Sequence, residues 1–270
     1  MLIAPLAWFV LFYLAALVAL FLSAFWKVDP FTSEIVRVWN LDNFKTLTQS
    51  TYRSIALRTL GVAAAVTITD AVLAFPFAYY MARVATARIR AALFVAVLLP
   101  LWVSYLVRVY AWRLILAHDG ALNWALAKLG LPGIGVAYSN WAMWIVFSYI
   151  WLPFMIIPIY AALERIPDSY IEASADLGAR GWKTIKDVVL PLALPGIIAG
   201  SIFSFSLTLG DYITPTLVGG VGSDFIGNVV YANVGISNNV PLAAAFATFP
   251  AIVMAVYLLM ARRLGAFEAL

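Results

Sequence analysis

The sequence predicts an all-α integral membrane protein that crosses the bilayer six times, organised as a single transmembrane domain over residues 1–270. Composition is the first reason. Of the 270 residues 64% are hydrophobic and 11% charged, with a mean hydropathy of +0.96, whereas soluble domains are about 25% charged. Second, the apolar residues gather into six runs of about 20, the length that spans a hydrocarbon core. Third, the runs are continuous and show no period-two alternation, which argues against a β-barrel.

The runs lie near 2–26, 58–82, 91–116, 139–163, 190–213 and 241–261. The first opens at Met1 without a basic stretch, and Phe25-Trp26-Lys27 is a poor cleavage junction, so it reads as an uncleaved span. Later runs carry Pro76, Pro100, Pro153 with Pro158, Pro195 with Gly196, and Pro250. Such breakers predict kinks whose freed backbone groups neighbouring helices re-satisfy.

Orientation follows from the cations. Arg83, Arg88, Arg90, Arg165, Arg180, Lys183, Lys186, Arg262 and Arg263 fall in the short stretches 83–90, 164–189 and 262–270. The longer stretches on the other side carry Lys27, Arg37, Lys45, Arg53, Arg58 and Lys128, and 214–240 has neither Lys nor Arg. The positive-inside rule therefore places both termini in the cytoplasm.

Several function classes drop out. Cys is absent, which removes disulfides, thiolate metal sites and cysteine nucleophiles. A single histidine, His118 beside Asp119, reads as a solvated turn residue and leaves no multi-His metal cluster. The net charge of +4 is small and scattered, unlike a nucleic-acid binder. No G-x-x-x-x-G-K-[ST] occurs, so ATP is not expected on this chain, nor is any other cofactor or metal.

The stretch 164–189 looks structured. Asp168 or Ser169 is a plausible N-cap for YIEASADL, and Gly178 stands where a left-handed C-terminal cap is wanted. A second short helix over roughly 181–188 is expected before Leu190-Pro191 re-enters the membrane. Two readings stand on these residues alone: a compact helical pair that docks in a partner's groove, or an amphipathic loop on the membrane surface.

Glu172-Ala173-Ser174, three residues, Gly178, nine residues, Val188, one residue and Leu190-Pro191 resemble the EAA loop of membrane subunits of ABC importers that use a separate binding protein. Ser174 stands for Ala and Val188 for Ile, both conservative. The resemblance implies a type I ABC importer permease fold. Glu172, Ala173, Ser174, Asp176, Gly178, Leu190 and Pro191 then couple the spans to a cytoplasmic ATPase dimer that carries ATP and Mg. The segments 99–116, 151–167 and 210–220 further resemble the B-type permease of spermidine/putrescine importers, with ferric iron, opine, sulfate or phosphonate permeases sharing parts of the pattern. The partners implied are that ATPase pair, a second, non-identical permease and an extracytoplasmic substrate-binding protein, in the inner membrane.

Asp70, Arg108, Arg113 and Asp211 lie within or at the ends of spans, where charge is costly. Asp70 and Arg108 sit at similar depths on straight helices, so Arg108 either pairs with Asp70 as a structural group or leaves Asp70 facing the pathway. Asp211 follows Gly210 and precedes Tyr212. It either binds ammonium groups together with Tyr212, Trp102, Tyr105 and Tyr110, or caps a broken helix beside an ordinary aromatic belt. Gly196, Gly200 and Ser204 recur every four residues, a stripe for close helix approach within the subunit or against a second permease. A self-sufficient secondary transporter using Asp70 and Asp211, and a membrane-embedded enzyme, are the competing classes. The ordered inner loop argues against the first, the lack of Cys and of clustered acids against the second.

Overall fold

The computed structural model describes residues 3–263, so the remainder of the expected inner stretch 262–270 lies outside the described residues. The order is α1 (Pro5–Ser23), a hairpin of β1 (Lys27–Val28) and β2 (Ile35–Val36), α2 (Asp42–Leu47) and α3 (Ser50–Val84). α4 (Ala87–Trp102), α5 (Tyr105–Leu116), α6 (Ala121–Lys128) and α7 (Asn140–Glu164) follow. The chain continues through α8 (Asp168–Asp176), α9 (Gly181–Gly210), α10 (Ile213–Val218), α11 (Ile226–Gly235) and α12 (Val240–Arg263). α1, α3, α7, α9 and α12 are long and apolar enough to cross a bilayer, and the bent pair after Ala87 makes a sixth crossing when taken as one broken span.

Helix starts are marked by polar caps. Thr86 Oγ1 accepts the Ile89 amide, Ser139 Oγ accepts that of Ala142 at 3.2 Å, and Asn239 Oδ1 accepts that of Leu242 at 3.1 Å. Each satisfies an amide that the first helical turn leaves open. Both bilayer-crossing prolines of α7, Pro153 and Pro158, are absorbed without ending the helix.

The centre of the molecule is α7, packed between α3 and α9. On α3 the buried residues are Thr59, Ala63, Val66, Asp70, Ala74, Ala78 and Met81, a stripe spaced three and four apart that faces this seam. Asp70 is buried because it belongs to that stripe. On α7 burial extends almost around the helix, from Ala142 to Leu163. By contrast α1 is exposed along most of its length and leans on α12 only near its end.

Three expectations are corrected. The third run is not a straight span: the chain breaks at Val103-Ser104 and turns by 94° from Ala87–Trp102 into the segment that begins at Tyr105. The second inner helix is not separate, because Gly181–Thr184 runs through a wide π-type turn at Ile185–Val189 directly into Leu190–Gly210. Pro191 lacks an N–H and its ring would strike the carbonyl one turn back; the wide turn opens that register, so the helix passes through. The fifth span ends at Gly210, and the expected outer loop 214–240 instead holds α10 and α11.

Candidate functional site

α8 stands between the end of α7 and the start of α9. Pro167 occupies its N-cap position without a side-chain bond, and Asp168 is the first helical residue rather than the cap, where its charge suits the helix dipole. Gly178 has φ +81°, the left-handed conformation that ends the helix at low cost to glycine. Glu172, Ala173 and Asp176 are exposed, whereas Ser174 is buried and its hydroxyl lies 3.1 Å from that of Thr184. Leu190 and Pro191 are exposed at the first regular turn of α9. Leu177 is 89% exposed and Trp182 75% exposed, two large apolar side chains in a largely polar stretch. Trp182 was the sequence signal for this exposure, and composition alone gave it no weight.

Arg83, at the end of α3, was read only as a positive-inside charge. Its guanidinium donates to Asp168 Oδ1 at 2.6 Å, to the Leu163 carbonyl at 2.6 Å and to the Ile166 carbonyl. Nearby Arg90 donates to the Met81 and Ala82 carbonyls at 3.0 and 3.3 Å and stands 3.9 Å from Glu164.

At the opposite end of α9, Asp211 leaves the helix in extended backbone, and its carboxylate accepts the Thr214 amide of α10 at 2.8 Å. Its other oxygen accepts the Tyr105 hydroxyl, which also lies 2.7 Å from Thr214 Oγ1. Tyr105 stacks on Trp151 with centroids 5.7 Å apart, and Tyr212 stacks on Tyr231 at 4.5 Å. Tyr105, Trp151, Asp211 and Tyr212 share one open depression of about 310 Å³. Thus Asp211, Tyr105 and Tyr212 come together. Trp102, 83% exposed, and Tyr110 do not line this depression, because the turn at Val103-Ser104 separates Trp102 from Tyr105 and Tyr110 lies on another face of α5. Trp151 takes their place in the lining, while the buried Thr214 bonds Tyr105 and Asp211.

Asp70 does not pair with Arg108. One Asp70 oxygen accepts the Ser204 hydroxyl from α9 while the other has no partner, and no ion pair involves either residue among the described residues. The depth estimate assumed a straight third span, and the 94° turn removes that premise. Arg108 is buried on α5, with Nε and one terminal nitrogen unpartnered, near Val109 in the core. Arg113 Nε reaches the Tyr138 hydroxyl at 3.4 Å. Gly196 and Gly200 press α9 onto α7: a Cβ at Gly196 would stand 2.5 Å from Ala162 Cβ, and one at Gly200 3.0 Å from Met155 Cα. His118 and Asp119 are both almost fully exposed.

A family model described as "Binding-protein-dependent transport system inner membrane component" matches residues 74–266. The chain is 49% identical over 283 residues to the inner membrane ABC transporter permease protein YdcU of Escherichia coli (strain K12), covering 100% of this chain and 90% of that protein. It is 31% identical over 261 residues to the spermidine/putrescine transport system permease protein PotB of the same organism, covering 96% and 94%. Its fold matches a chain in the crystal structure of a bacterial ABC transporter involved in the import of the acidic polysaccharide alginate. That match has a TM-score of 0.78 at 22% identity and covers 97% of this chain and 92% of the other.

Proposed function

The chain belongs to the family of binding-protein-dependent transport system inner membrane components, and from that premise we propose that it forms half of a polyamine translocation pathway driven by an ATPase carried on other chains. It is an ABC importer permease, a multi-pass inner-membrane transport subunit and not an enzyme. Residues 1–270 act as one membrane domain with both termini in the cytoplasm. ATP and Mg belong to a cytoplasmic ATPase pair, a second, non-identical permease completes the pathway, and an extracytoplasmic binding protein delivers substrate.

The observation that carries the coupling role is the placement of α8. It is a short helix with Glu172, Ala173, Asp176 and Leu177 exposed, closed by Gly178 at φ +81° and seated between two spans. That shape fits a groove on a motor subunit. Closure of the ATPase pair draws two such helices together and biases the spans toward the outward-facing state; hydrolysis returns them. At the outer end Asp211 offers negative charge, and Tyr105, Tyr212 and Trp151 offer aromatic faces. Ammonium groups on a flexible chain are recognised by that pairing. Similarity to a spermidine/putrescine permease supports the same substrate class.

Co-purification tests the reading. A tagged chain expressed with its neighbouring genes should bring down an ATPase, and deletion of residues 169–181 should abolish both capture and uptake. Intact uptake without that segment contradicts the proposal.

A further inference from the structure

Resting on the permease reading above, we propose that Arg83 is the positioning residue that fastens the coupling helix to the spans, so that α8 and the inner ends of α3 and α7 move as one body between nucleotide states. Three acceptors converge on this one side chain, from two helices and the short link between them. Asp168 supplies a carboxylate at the start of α8, 2.6 Å from one terminal nitrogen. Leu163, in the last turn of α7, supplies a carbonyl at 2.6 Å, and Ile166, in the link to α8, supplies another. Only a planar guanidinium presents donors in that fork; an ammonium is a point charge.

The two carbonyl bonds, partly buried, separate this contact from an ordinary surface ion pair. The Arg83 side chain is 12% exposed while Asp168 is 81% exposed, so the arginine is the fixed member and the coupling helix is what it holds. The partners lie 80 to 85 residues away in sequence, so nothing local makes the contact. Arg90 completes the arrangement by taking the Met81 and Ala82 carbonyls of the same wide turn that bears Arg83. The far end of α8 is held by the buried Ser174–Thr184 hydroxyl pair at the start of α9. Tied at both ends, α8 transmits a displacement instead of absorbing it.

The test uses the complete importer in proteoliposomes, with uptake of labelled spermidine and ATP hydrolysis measured together. For Arg83→Gln, uptake per ATP hydrolysed should fall about tenfold while the ATPase still co-purifies, the loss expected when charge-assisted bonds are replaced by weaker ones. Arg83→Lys should fall between Gln and the parent. Uptake and hydrolysis falling in proportion, or an unchanged ratio, overturns the proposal.

A second measurement keeps Arg83 in place and uses a labelled variant whose uptake and ATPase capture match the parent. The chain has no natural cysteine, so Val84→Cys with Tyr170→Cys gives a unique spin-label pair in an assembly whose other subunits carry no reactive cysteine. Their separation should change by less than about 3 Å between nucleotide-free and ATP-bound states, as a single rigid body requires. A larger change overturns the fastening role. An untouched chain that captures no ATPase contradicts the permease reading itself, a result distinct from either of these.

Discussion

Substituting alanine at Gly196 tests how the two central helices are held together. The added Cβ would stand 2.5 Å from Ala162 Cβ and 2.6 Å from the Pro158 carbonyl oxygen, where ordinary contact begins at 3.4 Å. Neither neighbour can rotate away, since one is a methyl fixed to the backbone and the other is a backbone oxygen. α9 must therefore retreat from α7 by about 1 Å, loosening dispersion contacts along the seam that lipid cannot replace with a hydrophobic drive. Overpacking of this kind costs about 1–3 kcal/mol, and the rigidity of both neighbours places Gly196→Ala at the upper end. At Gly200 the nearest atom is the flexible Met155 Sδ at 2.7 Å, with Met155 Cα at 3.0 Å behind it. The required shift is about half as large, and the cost should be correspondingly lower. Gly61 on α3 has nothing within 4 Å. Gly61→Ala should therefore stabilise by up to about 1 kcal/mol through helix propensity. Unfolding in mixed detergent micelles, followed by far-ultraviolet circular dichroism, should rank them Gly61→Ala, Gly200→Ala, Gly196→Ala from most to least stable. Equal stability of the Gly196 and Gly61 variants would refute the packing argument.

Other outcomes follow from the same contacts. Asp70→Asn keeps an acceptor for the Ser204 hydroxyl and removes no ion pair, so its unfolding should shift by less than about 1 kcal/mol, against the 3–5 kcal/mol lost on breaking a buried pair. Asp211→Asn should lower spermidine uptake in the assembled importer with ATPase capture unchanged; unaltered uptake removes this carboxylate from the pathway. Asp42, in the outer segment, is held below its ordinary 3.8 by hydrogen bonding from Lys27 first and from Lys45 second. Its contribution is present above the unfolded carboxylate range and is lost as pH falls through the lowered value. The protection factors of residues 24–47, exchange rates taken relative to the intrinsic amide rate at each pH, should therefore fall in acid in the parent and less so in Asp42→Asn; profiles that run parallel through lower pH contradict it.

The spans were legible because hydropathy sums side chains over a length that the bilayer fixes. A close approach along α9 was legible from Gly196, Gly200 and Ser204 recurring every four residues, but whether it faced this subunit or a second permease was not; the two glycines meet α7, and Ser204 bonds Asp70 of α3. Gly178 announced its left-handed turn because few other residues adopt one cheaply. Hydropathy is blind to backbone direction, however. Pro100 marked a kink in the third run but gave neither its size nor its exact place: the apolar run passes through Val103 and Ser104 unbroken while the chain turns there by 94°. Every inference built on a straight third span then moved, including the pairing of Arg108 with Asp70 and the grouping of Trp102 and Tyr110 with Asp211. Arg83 was invisible for a different reason: its acceptors lie far along the chain, and two of them are carbonyls that every residue possesses.

Reconstitution measures the central claim most directly. Liposomes containing this chain with its permease partner should accumulate labelled spermidine only when the ATPase, the binding protein and ATP are all supplied. Sustained uptake by this chain alone, with no nucleotide-hydrolysing subunit present, would contradict the account.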